Sequence, residues 1–472
     1  MPYFKKILIC TLSVLTALSL AACDGSQKFV TQAVPFGSES KAIEPSSKSS
    51  SDEALPKSSG AEEIESSSKE EAAKPFTKLT VIFTSGAGKD PAQKGIIPIS
   101  QIVGLKKSLE MNGEEVILVD TGGSFWGTPF TITDSGALAA KLLTECGYSV
   151  SALSSSDFNL SPKKIKEISD NVSLKIMCSN FIKIKENQPF SKGGVIINKG
   201  GKKIGILAFT PTETAAEVSP INLKGGVFEA SPSILQLMVD NIKNNGADYV
   251  IALTSLNKNS ELSPITLAEE IKGLDLIIGQ GGGNPAASAV HEGDTLVVYG
   301  DSTLKSVGMA EIDLNSKTAG VQSYTIESSV LSANDDRDTA LALEKIIAEQ
   351  EAAQKDIICQ LAFPDKESDN NRENAIGSMA AAAIRPITGA EAAIVLEDLW
   401  VGVPLDGIIS MEKLFKGVDE SSLAVTVSLT GAEIKALLEE SLSAFNEEGI
   451  TPIYFNGLGF KGNIKGEKGS RI

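Results

Sequence analysis

The sequence predicts an α/β fold, and three observations support this prediction. Short apolar segments, partly β-branched, recur along the chain, and most of them end at or just before Gly, Ser or Asp. Segments with the periodicity of amphipathic helices lie between several of these strands. The composition is that of a globular protein, because 42% of the 472 residues are hydrophobic and 22% are charged. We therefore expect sheets whose strands lead into loops at their carboxyl ends.

The predicted elements follow one another in a regular order. Strands are predicted at residues 79–84, 115–120, 204–209, 249–254 and 274–279, with helices at 135–146 and 234–244. Residues 194–202 predict a hairpin, and residues 295–325 predict further strands. The charged segment 335–356 begins with Asp-Asp and predicts a capped helix that joins two domains.

The N-terminal region has the pattern of a secreted lipoprotein. Residues 1–22 contain two lysines and then an apolar run that is too short for a transmembrane helix, which is typical of a signal peptide. The run ends Leu-Ala-Ala-Cys at Cys23 and resembles the bacterial lipobox, so we expect Cys23 to be acylated and to anchor the protein in a lipid bilayer. This predicts a location at the bacterial cell envelope, on the periplasmic or extracellular face. Residues 23–75 are rich in Ser, Glu and Lys and predict a disordered tether.

Charge, histidine and cysteine content exclude several classes of function. With 43 basic and 60 acidic side chains, the net charge of -17 argues against a nucleic-acid partner. The single histidine, His291, excludes a metal site built from several histidines and is expected to be solvated in a polar loop. Of the cysteines after Cys23, we expect Cys146, Cys178 and Cys359 to be buried free thiols.

Several motifs in a fixed order carry a family resemblance. They are residues 119–127, 146–148, 157–159, 246–254 and 273–279, followed by 372–377 and 429–434. Together they resemble the secreted 5′-nucleotidase family of calcineurin-like metallophosphoesterases. The resemblance implies a four-layer α/β/β/α metallophosphoesterase-like domain at 76–330, a linker helix at 331–358 and a smaller α/β 5′-nucleotidase C-terminal-like domain at 359–472. We expect the last domain to be truncated, because the family continues with closing strands.

The resemblance also implies a site that has lost its metal ligands. The family hydrolyses phosphoesters with two divalent metals. Its ligand positions fall here on Gly86, Gly88, Gly123, Ser155, Ser255, Gly281 and Gly283, none of which carries a normal ligand side chain. A supporting histidine and its partner Asp fall on Ser156 and Asn159. The prediction is therefore no metal, no catalytic residue and no cofactor.

The substrate-binding positions of the second domain are altered in the same way. The segment from Leu396 to Val401 replaces a family sequence that contacts phosphate and sugar, and Glu420 stands where a phenylalanine stacks on the base. Only Arg372 matches a family residue, an arginine that faces the phosphate. A carboxylate in place of the ring cannot stack on a base and would repel phosphate.

Two functional hypotheses remain open. The first is a lipoprotein without catalysis that serves as a binding or structural module for an unknown protein or small-molecule partner. The alternative is a 5′-nucleotidase-type phosphoester hydrolase of nucleotide catabolism with an unorthodox or weak metal site. Asp120, Asp157, Asp248 and Asp301 could then hold one Mg²⁺ or Ca²⁺, although each could equally cap a loop.

Overall fold

The structure is a computed structural model with two compact units. It describes residues 5–10, 62–64, 78–185, 188–191, 193–256, 260, 262–281, 283–355, 357–360, 375–396, 408–410, 412–414, 423–443, 453–463 and 465–472. The larger unit takes its described residues from 42–218 and 222–351, and the smaller unit takes them from 1–41, 219–221 and 352–472.

Strands and helices alternate along much of the described chain. The strands are β1 (Lys5–Cys10), β2 (Glu62–Ile64), β3 (Lys78–Thr84), β4 (Glu115–Asp120), β5 (Val150–Ala152), β6 (Lys175–Met177), β7 (Phe181–Lys183), β8 (Gln188–Pro189), β9 (Val195–Lys199), β10 (Lys202–Phe209), β11 (Gly226–Phe228), β12 (Tyr249–Thr254), β13 (Leu276–Gln280), β14 (Val290–Glu292), β15 (Thr295–Gly300), β16 (Ser306–Asp313), β17 (Thr318–Thr325), β18 (Ile357–Gln360), β19 (Ala392–Leu396), β20 (Ile408–Ser410), β21 (Leu423–Ser428) and β22 (Ile453–Asn456). The helices are α1 (Ile99–Met111), α2 (Pro129–Ile132), α3 (Ala137–Glu145), α4 (Pro162–Asp170), α5 (Thr214–Glu217), α6 (Pro232–Asn244), α7 (Pro264–Glu270), α8 (Ser329–Ala333), α9 (Arg337–Gln354), α10 (Ala375–Thr388) and α11 (Gly431–Ser443). Two 3₁₀ turns span Ser156–Asn159 and Ala286–Ser288.

Two mixed sheets form the centre of the larger unit. One has the strand order β17-β16-β3-β4-β5-β6, and the other has the order β14-β15-β13-β12-β10-β9-β2. Strands β3, β4, β5 and β6 run parallel, as do β10, β12, β13 and β15. The carboxyl ends of each parallel set therefore meet at one edge of their sheet, where loops can assemble a site.

Three apolar clusters define four layers in the larger unit. Alternate side chains of both sheets, such as Phe83 and Leu253, pack between the sheets. The opposite face of the first sheet packs on residues of α1, α3 and α4, and that of the second sheet packs on residues of α6 and α7. Central strands such as β12 are buried along their whole length, which is why their sequences are continuously apolar. The four-layer α/β/β/α prediction is confirmed.

Local sequence explains where several helices start. Ser161 precedes Pro162, and its hydroxyl accepts a hydrogen bond from the backbone N–H of Lys164. Ser263 caps α7 in the same way, ahead of Pro264. Serine satisfies an unpaired N–H of the first turn, while proline needs no donor there and has the φ angle of a helix.

The charged helix predicted at 335–356 is α9 (Arg337–Gln354), while the predicted linker bounds 331–358 also include the last residues of α8 (Ser329–Ala333). Helix α8 ends before Asn334, and α9 starts after Asp336, whose carboxylate accepts from the N–H of Thr339 at 2.9 Å. A side chain that satisfies the first turn of a new helix competes with continuation of the old one. The hairpin prediction is confirmed by the antiparallel pair β9–β10. The short strands β5, β6, β7, β8 and β11 were not predicted, because two or three residues show no periodicity.

The smaller unit has its own sheet, with the order β21-β1-β19-β22, and a separate pair, β18–β20. Side chains of α10 pack with β19 and β22 in its core, with Ala381, Ile384 and Tyr454 buried. The observed mixture of helices and strands agrees with the predicted smaller α/β domain.

The N-terminal predictions lie mostly outside the described residues. Only the backbone strands β1 and β2 are described within residues 1–75, so the signal peptide, the tether and lipidation at Cys23 stay predictions. None of the helices in the described part of the chain combines the length and the apolar character needed to span a bilayer.

The prediction of buried free thiols is confirmed at Cys146 and Cys178, while the side chain of Cys359 lies outside the described part of the structure, and the residues predicted to form a polar loop around His291 form a strand. Cys146 and Cys178 are buried free thiols, and burial raises their pKa values to about 12 and about 11. Thiols with such pKa values are unreactive at neutral pH. His291 is exposed on β14.

Candidate functional site

Loops that follow several parallel strands meet at one edge of the sheets in the larger unit. The backbone N–H of Gly88, after β3, donates to the hydroxyl of Ser124, after β4, at 3.0 Å. The side-chain amide of Gln280, at the end of β13, donates to the carbonyl of Gly122 at 3.1 Å. The hydroxyl of Ser255, after β12, donates to the carbonyl of Leu153, after β5, at 3.4 Å. The loops that carry the predicted metal-ligand positions are thus joined by hydrogen bonds among themselves.

Asp120 is the centre of this hydrogen-bond network. It is fully buried at the carboxyl end of β4 and accepts five hydrogen bonds. One carboxylate oxygen, Oδ2, accepts from the Thr84 hydroxyl at 2.8 Å and the Ala87 N–H at 3.1 Å. The other, Oδ1, accepts from the Gly122 N–H and from two serine hydroxyls, those of Ser124 and Ser151. Five donors exceed the roughly four lone-pair sites of a carboxylate, so Asp120 has no lone pair directed at a ligand.

Asp157, in the segment after β5, also accepts hydrogen bonds from the strand-end loops. Its Oδ2 accepts from the N–H groups of Gly123 and Ser154, each at 2.8 Å, and from the Ser154 hydroxyl at 3.0 Å. Its Oδ1 accepts from the Phe125 N–H at 2.9 Å. The carboxylate is fully buried and ties the loop after β4 to the loop after β5. The loop-cap interpretation of Asp120 and Asp157 is the one that this geometry favours.

Burial changes the protonation of both carboxyl groups. Loss of hydration raises the pKa of Asp120 to about 6, although hydrogen bonds from Ala87, Thr84, Gly122 and Ser124 oppose the rise. Burial raises the pKa of Asp157 as well, against the hydrogen bonds that it accepts. The loop donors therefore offset part of the cost of holding these two charges away from water.

The glycines at former ligand positions have backbones that side chains rarely adopt. Gly86, Gly123, Gly281 and Gly283 have φ angles of 74°, 83°, 94° and 69°. A Cβ on Gly86 would lie 3.4 Å from the carbonyl oxygen of Gly123, and a Cβ on Gly123 would lie 3.5 Å from Nε2 of Gln280. Gly86, Gly123 and Gln280 are therefore close neighbours, as the ligand positions implied by the resemblance require.

The serines at former ligand and catalytic positions are engaged with protein partners. The Ser155 hydroxyl lies 2.7 Å from the Thr214 hydroxyl, and the Ser156 hydroxyl lies 3.0 Å from that of Ser154. Asn159 donates from its side-chain amide to the Ser156 carbonyl at 3.1 Å. Ser155, Ser156 and Ser255 line one cleft. The backbone carbonyl of Gly283 accepts a hydrogen bond from the hydroxyl of Ser306, the first residue of β16.

A cleft of about 530 Å³ opens where these loops meet. Its described lining consists of five serines, Gln280, Pro211 and two glutamates, Glu213 and Glu217. Sequence reasoning missed Gln280 and both glutamates. The signal that could have identified the glutamates is their spacing of four residues, which places both on one face of a helical turn directly after β10.

The residues present do not fit the pair of divalent cations that the resemblance implies for the family. Within the described ranges, no group of three or more His, Cys, Asp or Glu side chains is placed to hold a metal ion. Asp120 and Asp157, which lie in the same loops as former ligand positions, already accept four or more hydrogen bonds each.

The other two aspartates of the alternative hypothesis lie elsewhere. Asp248 precedes β12, so it lies at the opposite end of that strand from the cleft, and it accepts from the N–H of Lys203. Asp301 accepts from the N–H and hydroxyl groups of Thr303 and Ser306 and closes the turn between β15 and β16. The four aspartates do not form one cluster in the described structure.

The predicted substrate positions of the second domain are only partly described. Leu396 is buried at the end of β19, opposite Ile453 of β22. Arg372, Val401 and Glu420 lie outside the described residues. Their roles stay predictions from the resemblance.

Comparisons with known proteins find similarity to 5′-nucleotidases. The family model "5′-nucleotidase, C-terminal domain" matches residues 350–472. A 5′-nucleotidase from Diplobatis ommata is 25% identical over 178 residues, which are 37% of this chain and 30% of that protein. The trifunctional nucleotide phosphoesterase protein YfkN of Bacillus subtilis is 22% identical over 407 residues, 75% of this chain and 27% of its own length. The chain thus spans less than a third of the length of either relative.

The fold is also similar to that of a solved 5′-nucleotidase. The crystal structure of a 5′-nucleotidase precursor from Thermus thermophilus superposes with a TM-score of 0.52 at 17% identity, and the alignment covers 84% of each chain. This likeness shows that the chain shares the fold of two-domain 5′-nucleotidase structures. The matched C-terminal domain and the relatives above support the resemblance of this chain to the 5′-nucleotidase family.

Proposed function

We propose that this protein is a lipid-anchored envelope protein that uses the 5′-nucleotidase-like fold as a binding or structural module and does not hydrolyse phosphoesters. The observation that carries the proposal is the network around Asp120 and Asp157. Both carboxylates point their lone pairs at backbone and hydroxyl donors of the strand-end loops, where the family needs ligands directed at two metals. The loops keep their positions through hydrogen bonds within the chain in place of metal coordination.

The decisive experiment measures metal content and turnover on the same sample. The purified full chain is equilibrated with Mn²⁺, Mg²⁺ or Zn²⁺, desalted and analysed for bound metal. Hydrolysis of AMP and of p-nitrophenyl phosphate is then followed in excess metal. We expect less than one equivalent of metal and no turnover above the buffer rate. Two equivalents of metal with turnover comparable to an active family member would refute the proposal.

The alternative function, a phosphoester hydrolase with a weak metal site, has one specific observation in its favour: the relatives that this chain resembles are named nucleotidases or phosphoesterases. If it holds, turnover should rise with metal concentration into the millimolar range and should vanish on chelation. The Asp157→Asn variant would separate the hypotheses further, because a ligand role predicts loss of turnover with a fold that remains intact.

Anchoring at the envelope depends on Cys23 and is tested independently. We expect the chain to partition with membranes and to incorporate labelled fatty acid when it is expressed in a bacterium with lipoprotein processing. Cys23→Ser should abolish both signals, since a thiol is needed for the first acyl linkage. Cys146→Ser is the matched control, because that thiol is buried and should leave partitioning unchanged.

A further inference from the structure

The sheet of the smaller unit has an inner strand that comes from the start of the chain. In the order β21-β1-β19-β22, strand β1 (Lys5–Cys10) lies between two strands that are not neighbours in the described sheet. It pairs antiparallel with β21 along all six of its residues and parallel with β19 along three of them. Strand β1 is therefore the element that joins β21 to the rest of the described sheet.

This inner strand belongs to the segment that processing at Cys23 removes. Residues 1–22 are the predicted signal peptide, so the processed chain lacks β1. The backbone groups of β19 and β21 that bond to β1 then lose their partners, and unpaired backbone groups in a buried sheet are costly. A free strand edge is a template for another strand, and here two such edges face one gap.

The neighbours of the gap determine what can fill it. Strand β19 is buried along its whole length, with Ala393 and Val395 in the core of the unit, so a strand beside it needs apolar side chains. A proline is excluded, because it would remove a hydrogen bond to one of the two neighbours. The sequence of β1, Lys-Lys-Ile-Leu-Ile-Cys, meets both requirements. One parallel and one antiparallel neighbour also fix the direction of the inserted strand.

We infer that the processed chain binds an extended apolar segment of another polypeptide, proline-free and about six residues long like β1, between β19 and β21. Main-chain hydrogen bonds to both neighbours would hold the segment, and its apolar side chains would decide which sequences fit. This inference rests on the proposed processing at Cys23 and gives the proposed binding module a class of partner.

A peptide copied from the chain itself tests the inference. The processed lipoprotein is purified from bacterial membranes in detergent, and its N-terminus is verified by mass spectrometry. A fluorescent peptide with the sequence of residues 3–12 and the change Cys10→Ser is titrated into it, and binding is followed by fluorescence anisotropy. We expect saturable binding of one peptide per chain. The Cys23→Ser chain in the same detergent keeps residues 1–22 and its own β1, so it should not bind.

A control peptide separates strand pairing from general hydrophobic attraction. It carries Ile7→Pro and Ile9→Pro, which keep an apolar character but remove two backbone donors. We expect it to bind at least about tenfold more weakly than the unmodified peptide, because an inner strand needs its ladder hydrogen bonds on both sides.

Two proline variants of β21 locate the binding position. Val425 and Thr426 face Leu8 and Ile7 of β1, and in an antiparallel pair consecutive residues alternate between hydrogen-bonded and non-hydrogen-bonded positions. One of Val425→Pro and Thr426→Pro therefore removes a donor to the peptide, while the other removes an N–H that points to the outer edge of the described sheet. We expect about tenfold or greater loss of binding in one variant and retained binding in the other. Equal effects in the two would overturn the inference.

Three further results would overturn it: no binding to the processed chain, equal binding of the proline peptide, or equal binding to the Cys23→Ser chain. Dimers of the processed chain that the peptide dissociates, seen by analytical ultracentrifugation, would also overturn it, because the occupant would then come from a second copy. Failure of the proposed anchoring gives a different result. A membrane-isolated chain that still carries residues 1–22 refutes processing and the opening of this position together, whereas an acylated chain that ignores the peptide refutes this inference alone.

Discussion

Asp120 joins several loops at the edge of the sheets through its hydrogen bonds. A buried carboxylate is costly unless it is well hydrogen-bonded. Here its five donors come from β3 and the loop after it, from the loop after β4, and from β5. These hydrogen bonds offset the cost of burying the carboxylate and hold the loops together at this edge of the sheet. Asp157 repeats the arrangement with four donors.

Removal of the Asp120 carboxylate should strongly destabilise the larger unit. We expect Asp120→Ala to lower the free energy of unfolding by about 3–5 kcal/mol, because it leaves buried donors without partners and creates a cavity. The change is measured by denaturant titration. Asp248→Ala is the control, since that exposed aspartate accepts a backbone hydrogen bond from Lys203 at the surface and should cost about 1 kcal/mol or less. Equal losses in the two variants would contradict the organising role of Asp120.

The raised pKa of Asp120 predicts a specific dependence of stability on pH. The group titrates near 3.8 when unfolded and at about 6 when folded, so between these values the native state binds more protons than the unfolded state. Its contribution to stability is therefore fully present below about pH 4 and is lost as pH rises towards 6, amounting to about 3 kcal/mol across the window. Denaturant titrations from acidic to neutral pH measure this effect. The difference between wild type and Asp120→Asn should follow this curve, and a pH-independent difference would contradict it.

At the scale of elements, the close approach of neighbouring loops depends on a glycine. Gly122 has a φ of 105°, and a Cβ there would lie 2.7 Å from the backbone nitrogen of Ser154 in the loop after β5. Contacts this short force the loops apart. This contact fixes how the two loops lie relative to each other, and with that the shape of the cleft.

Gly122→Ala should therefore cost more than backbone strain alone. The matched control is Gly113→Ala, because Gly113 also has a positive φ, 82°, but no neighbouring atom lies within 4 Å of the place that its Cβ would occupy. We expect a loss of about 1 kcal/mol for Gly113→Ala and about 3 kcal/mol or more for Gly122→Ala, from thermal or denaturant unfolding. Similar losses for the two variants would mean that the loops can separate without cost.

Element boundaries were predictable where the strands are long and central. Segments 115–120 and 249–254 coincide with β4 and β12, because strands buried on both faces have continuous apolar sequences. The segment 274–279 is displaced, since Leu274 belongs to the apolar core but precedes the hydrogen-bonded strand. The capped start of α9 was predicted from Asp335 and Asp336, whereas the five-residue helix α8 before it was not.

At the scale of the molecule, stability should not depend on divalent metals. An ion that binds only the native state at a hundred times its Kd would add about 2.7 kcal/mol to the free energy of unfolding. We expect the melting temperature to be the same in EDTA, Mn²⁺, Mg²⁺ and Ca²⁺, measured by differential scanning fluorimetry and calorimetry. A rise in Mn²⁺ that EDTA reverses would contradict the proposal that the chain holds no metal centre.

The sequence by itself determined the α/β class, the order of the main strands and helices, and the chemistry missing from the seven former ligand positions. These properties are local, since they depend on apolar periodicity and on which side chain occupies each position. Tertiary structure alone decided the hydrogen bonds at the loop edge: the five donors to Asp120, the four to Asp157, and the cleft that these loops line. Those contacts join residues up to 158 positions apart in the sequence, as between Gln280 and Gly122. Which groups form hydrogen bonds depends on where the packed sheets place their loops.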